Sequence, residues 1–188
     1  DALPIFGNVY YVGASEITSF LITSSKGHIL IDGGFAETAP QIKENIVKLG
    51  FKIKDVKILL NTQAHYDHAA GLAELKRATG AKMLISAEDK ILLENGGKND
   101  FAFGDEYPYE PVKADKVIKD GEIIKLGNVS LKVISTPGHT KGCTTWTMKV
   151  KEVGKTYNVV IIGSPNVNPG YKLVNNAAYP NIADDYEK

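Results

Sequence analysis

The stretch VKILLNTQAHYDHAAGL, Val56 to Leu72, decides how the rest of the chain is read. Val56 to Leu60 is a short, largely apolar run of the length of a buried strand. From Ala69 to Thr79 the apolar residues, Leu72 and Leu75 among them, recur at helical spacing, and Gly80 is suited to end the helix. Gln63, His65, Asp67 and His68 therefore lie between a strand and a helix. If the chain leaves the strand still extended, residues two apart point the same way, so Gln63 and His65 converge on one point. Asp67 and His68 sit at the bend and turn toward a second. Neutral imidazole and carboxylate are zinc ligands, and three protein ligands leave one position open for water. The same residues admit a plainer reading, with Asp67 capping the following helix, Gln63 a solvated loop residue and the histidines ordinary polar groups.

Outward from this stretch the pattern is mixed. Upstream, Val9 to Val12, Thr18 to Thr23 and His28 to Asp32 read as strands, the last two joined by the turn Ser24 to Gly27. Pro40 to Leu49 reads as a helix, with Pro40 in its first turn and Gly50 as its stop. Downstream, Met83 to Ile85 is a strand and Glu88 to Glu94 a helix ended by Gly96 and Gly97. Lys98 to Asp115 is a polar and aromatic loop long enough to cover something. The strands Glu122 to Leu126, Val129 to Ile134, Thr144 to Val150 and Tyr157 to Ile162 follow. Alternating strands and helices early, then mainly strands, predict one domain over residues 1–188 of the α/β (α+β) class. Its architecture is two β layers with helices packed outside them.

A second loop sharpens the first. STPGHTKG, Ser135 to Gly142, again follows an apolar strand and carries His139, so two strand-end loops hold three of the four histidines. Such loops are where ligands and catalysis gather in βα architectures, and His139 is placed to complete the Gln63 and His65 site. The fourth, His28, lies inside an alternating strand and reads as structural or exposed. With 22 basic and 22 acidic residues the formal net charge is zero, and no basic stripe marks a nucleic-acid partner. No apolar run approaches the ~20 residues that span a bilayer. Cys143 is the only cysteine, which excludes an intrachain disulfide.

QAHYDH, followed by PGHT at a strand end and preceded by LIDGG at Leu30 to Gly34, resembles the metallo-β-lactamase superfamily, whose usual signature is His-x-His-x-Asp-His. More narrowly the chain is similar to subclass B3. The similarity is carried by GNVYYVG near the start, KLGFKIKDVKILL, GHTKGCTTWTMK and VVIIGSPNVNPGYKLV. The later segments resemble FEZ-type enzymes, and glutamine in the first ligand position resembles GOB-type enzymes.

The resemblance implies an αββα sandwich and zinc-dependent hydrolysis of the β-lactam amide bond by metal-activated water, with up to two zinc ions. Gln63, His65 and His139 match the first metal site, and Asp67 and His68 match two of three ligands in the second, with Asp67 also orienting the attacking water. Ser164 matches a serine near the second metal and the substrate, or is a simple turn hydroxyl before Pro165. Thr140 orients His139 or caps a helix. The family continues past YPNIADDYEK with a helix, a strand and a further histidine, and none follows His139 here. The expectation is a domain incomplete at its C-terminus, with the second site short of a ligand. A periplasmic or secreted location is also implied, with a β-lactam as small-molecule partner. Two alternatives remain open: a related hydrolase acting on thioesters or lactones, and a noncatalytic zinc-binding fragment.

Overall fold

A computed structural model describes residues 2–188. A seven-stranded sheet is built from β1 (Leu3–Phe6), β2 (Val9–Tyr11), β3 (Phe20–Ser24), β4 (Gly27–Ile31), β5 (Val56–Leu60), β6 (Lys82–Ser86) and β7 (Lys116–Ile118), which lie side by side in that order. Its first four strands pair antiparallel and its last four, from β4 on, parallel. A four-stranded antiparallel sheet follows, from β8 (Ile123–Leu126), β9 (Val129–Ser135), β10 (Thr144–Glu152) and β11 (Lys155–Ile161), in sequence order.

The central strands of the large sheet read as apolar runs because both their faces are buried. Leu21, Leu30, Leu59, Met83 and Ile85 pack on one side against helices α1 (Ala39–Lys48), α3 (Leu72–Thr79) and α4 (Ala87–Glu94), through Ile42, Ile46, Leu72, Leu75 and Leu93. The alternate residues Ile22, Ile29, Ile31, Leu60 and Leu84 face the second sheet and meet Leu131, Val133, Trp146, Met148 and Val150. In β9 the alternation is strict: Val129, Leu131 and Val133 are buried while Ser130 and Lys132 are exposed. The two β layers and the helical layer of the expected sandwich are thus formed. The far side of the small sheet is open, with Ile123 and Val160 exposed.

Several expectations need adjusting. Strands β1 and β7 were not anticipated. The helix read from Ala69 to Thr79 is broken: a four-residue turn of helix, α2 (Tyr66–Ala69), precedes α3, and Gly71 lies between them. A Cβ at Gly71 would stand 2.2 Å from the Gly33 carbonyl oxygen, so the chain bends where only glycine lets two backbones approach. His28 is buried, its ring 5.0 Å from that of Phe51, which makes it structural. Lys98 to Asp115 is a loop as expected, pinned by a bridge between Asp100 and Gly104.

Candidate functional site

The chain leaves β5 extended, as the spacing required: His65 precedes α2 with φ −72° and ψ 159°. The capping position is therefore His65, and Asp67 sits in the first helical turn rather than at its cap. Asp67 keeps its carboxylate partly exposed, with Oδ2 3.5 Å from His68 Nε2. Gln63 is buried, its Oε1 accepting the His65 backbone N–H at 3.1 Å while its Nε2 donates to Ser164 Oγ at 3.4 Å. His139 lies across from His65, ring centroids 4.9 Å apart. Gln63, His65, Asp67, His68, His139 and Ser164 all line one cavity of about 460 Å3, large enough for a drug-sized ligand.

Two of the three histidines have one ring nitrogen fixed from behind. His139 Nδ1 lies 2.9 Å from the Asn166 carbonyl oxygen, and since a carbonyl only accepts, Nδ1 carries the proton and Nε2 is left with its lone pair. His68 Nδ1 lies 2.9 Å from Asp32 Oδ2, which likewise leaves Nε2 free beside Asp67. Burial lowers the pKa of the His139 ring, which favours its neutral form. Burial also opposes charge on His68, but the Asp32 carboxylate, by its charge and its hydrogen bond, and Asp67 outweigh it and raise the ring's pKa.

This pattern fits a metal, because ligating histidines almost always donate their other ring nitrogen to a carboxylate or carbonyl. Among the described residues no three His, Cys, Asp or Glu side chains form a single metal-holding group. The donors available to a cation are His65 and His139, whose rings lie together, the Gln63 amide next to them, and Asp67 beside His68.

The sequence assigns no role to the residues that hold the candidate donors from behind. Asp32 adopts a left-handed backbone, φ 65°, rare for a non-glycine residue. Its buried carboxylate accepts from Asn61 Nδ2 at 2.9 Å, Thr62 N and Thr62 Oγ1 at 2.6 Å, and His68 Nδ1. Asp89 of α4 joins the two loops that carry the candidate donors: it accepts from Ala64 N at 2.9 Å, Thr140 Oγ1 at 2.8 Å and Gly142 N at 2.9 Å. Thr140 thus supports the His139 loop through Asp89, neither touching the imidazole nor capping a helix. Burial pushes the Asp89 carboxyl up to about 6, against those three donors. One signal could have found it: four residues before the buried Leu93, Asp89 is a charge on the helix's apolar stripe. The loop from Lys98 supplies Phe103, whose ring centroid is 5.3 Å from that of His65, and Tyr109, whose hydroxyl donates to the Ala64 carbonyl at 2.6 Å.

The model of the metallo-beta-lactamase superfamily matches residues 12–153, a span that contains both ligand loops. The chain belongs to that superfamily. Among solved structures it is similar to the native FEZ-1 metallo-beta-lactamase from Legionella gormanii, with 49% identity and a TM-score of 0.97, over 99% of this chain and 72% of that one. It is also similar to LRA-12, a class B3 di-zinc metallo-beta-lactamase from an Alaskan soil metagenome, with 40% identity and a TM-score of 0.95, over 99% of this chain and 71% of that one. Among curated relatives, a hydroxyacylglutathione hydrolase of Rhodospirillum rubrum is 31% identical over 113 residues, which is 60% of this chain. The chain spans only 35% of that protein's length. The metallo-β-lactamase fold is therefore shared with enzymes of more than one name, and the structural neighbours are B3 metallo-β-lactamases. No helix among the described residues is long and apolar enough to cross a membrane.

Proposed function

We propose that this site belongs to a zinc-dependent hydrolase that opens the amide bond of a β-lactam ring. The observation that carries the reading is the pair of adjacent donor sets on one cavity, within a chain alike over nearly its whole length to B3 enzymes. Gln63, His65 and His139 would hold one ion, and Asp67 and His68 would contribute to a second. Zinc, when bound, supplies Lewis acidity and brings the pKa of water toward about 7.

The chain's own groups do the rest. The Asn166 carbonyl and Asp32 hold His139 and His68 in the tautomers that leave Nε2 free. Asp67, partly exposed at the cavity, accepts a hydrogen bond from the attacking water and so orients its oxygen toward the substrate carbonyl. The water oxygen bonds to the carbonyl carbon, the carbon–nitrogen bond breaks, and the water's proton ends on the ring nitrogen. Phe103 and Tyr107 give the cavity an apolar wall that excludes bulk water, and Ser164 offers a hydroxyl to a polar group of the substrate. A protein nucleophile is not required. A periplasmic or secreted setting belongs to the same reading.

The test is chelator-sensitive opening of a chromogenic cephalosporin, with Asp67→Ala expected to lower kcat/KM by about 100-fold or more, the scale of an electrostatic or positioning group in the site. The hydroxyacylglutathione hydrolases among the curated relatives favour a thioester as the second reading. Thioester cleavage without cephalosporin opening would replace the first reading by the second, and bound zinc with neither activity would make the chain a noncatalytic zinc-binding domain.

A further inference from the structure

His65 differs from the other two histidines. His68 and His139 each have a hydrogen bond at the ring nitrogen turned away from the cavity, whereas His65 Nε2 is sealed from solvent and has no hydrogen-bond partner among the described residues. A carboxylate faces it: Asp100 Oδ2 stands 3.4 Å away, on a side chain only 4% exposed. The other oxygen of Asp100 is already committed, since Oδ1 accepts from Ala102 N at 2.8 Å and Phe103 N at 2.9 Å. Those two bonds fix the carboxylate's direction and leave Oδ2 facing the imidazole.

We propose that Asp100 is a positioning residue: by accepting the Nε2 proton of His65 it sets the tautomer, so that Nδ1 is the nitrogen His65 offers to a metal. The inference rests on the reading of Gln63, His65 and His139 as a zinc site. A buried N–H beside a buried carboxylate is held by a short adjustment into a charge-assisted hydrogen bond. A bare lone pair there would face a negative oxygen, and a metal would have to enter a sealed space. The ring nitrogen free to meet a ligand in the cavity is then Nδ1. This places the metal on the other side of the imidazole from the loop and gives all three histidines the same arrangement of one metal-facing and one anchored nitrogen.

The consequence reaches beyond one ring. Asp100 belongs to the loop that also carries Phe103 and Tyr107 into the cavity, and Tyr109 of the same loop donates to the Ala64 carbonyl, one residue before His65. The wall that meets the substrate is thereby fastened to a metal ligand at its side chain and at its backbone. Disturbing the loop at Asp100 changes how well the first ion is held.

Two variants separate positioning from folding. Asp100→Ala removes the acceptor, and the His65 tautomer should become mixed. Asp100→Asn preserves shape, keeps an oxygen for Ala102 and Phe103, and turns an N–H toward His65 Nε2, which should reverse the tautomer and place the proton on Nδ1. Long-range proton–nitrogen correlation spectra of the metal-free protein read the tautomer directly, and zinc competition against a chromophoric chelator reads affinity. The expected results are Nε2–H in the parent chain, Nδ1–H in Asp100→Asn, and a fall of about 10- to 100-fold in affinity for one zinc equivalent, as for other outer partners of zinc histidines. Nδ1–H in the parent chain, or unchanged affinity in a folded Asp100→Asn, overturns the proposal. Failure of the parent chain to bind zinc at all overturns the reading of the metal site instead.

Discussion

At the scale of single residues, Gln63 and Asp89 bear on the site in opposite ways. On the proposed reading Gln63 would offer zinc a neutral amide where imidazole would bind more firmly, and its oxygen already accepts a backbone N–H from His65. Gln63→His should therefore raise affinity for the first zinc equivalent, and equal affinity before and after, measured by chelator competition, would contradict its assignment as a ligand. Asp89 touches no ligand side chain but holds both ligand loops. With its folded pKa near 6 and an unfolded value of about 3.9, the folded chain binds a proton there more readily than the unfolded one. Its contribution to stability is thus fully present below about pH 4 and lost as pH rises through 6, by about 3 kcal/mol in all. Asp89→Asn cannot titrate. Urea unfolding of both metal-free proteins should show the parent's advantage over this variant shrinking from pH 4 to 7, and an advantage that grows over that range would refute the assignment.

At the scale of elements, the junction between α2 and α3 is held by contact with the segment after β4. Gly33 N donates to the His68 carbonyl at 2.8 Å and Gly71 N to the Gly34 carbonyl at 3.1 Å. Gly71→Ala would press a methyl group on the Gly33 carbonyl, a clash that backbone cannot relieve locally, at a cost of about 1–3 kcal/mol. Because His68 sits on that junction, its alignment with Asp32 should suffer too. Gly80→Ala makes the control: it ends α3 at φ 75° with nothing within 4 Å of a new Cβ, so it should cost about 1–2 kcal/mol of backbone strain and leave zinc affinity alone. Matching zinc affinities in the two variants would show that the junction does not position His68. The same contact explains why the break was illegible: helical spacing runs on through Leu72 and Leu75, and only the approach of Gly33, distant in sequence, stops it. Strands β1 and β7 were hidden for related reasons. β1 contains Pro4 and buries none of its residues, and β7 buries only Ile118, so neither has an alternation to read. The candidate donors could be proposed from the sequence because their chemistry is local, whereas Asp32, Asp89 and Asp100 act through partners 25 or more positions away.

At the scale of the molecule, the site depends on two sheets staying in register, since His65 and Asp67 follow the large sheet and His139 and Ser164 the small one. Thr144 N donates to the Thr62 carbonyl at 2.8 Å at the site end, and the core between the sheets carries the load elsewhere. Trp146, the only tryptophan, is the largest fully buried side chain in that core. Its indole N–H has no hydrogen-bond partner among the described residues, and a buried donor left unpaired costs about 1–3 kcal/mol. Trp146→Ala should therefore lose about 3–5 kcal/mol through the cavity it leaves. Trp146→Phe loses part of the packing but also removes the orphaned donor, so the two effects oppose each other and the net loss should be well under half that of the alanine variant. Urea unfolding followed by far-ultraviolet circular dichroism measures both variants without the fluorophore they remove. Both variants remove the indole N–H, so equal losses would mean that a phenyl ring replaces none of the packing that the indole supplies. In that case the core between the sheets would be packed around the whole indole ring, and the separation of the two ligand loops would depend on that one side chain.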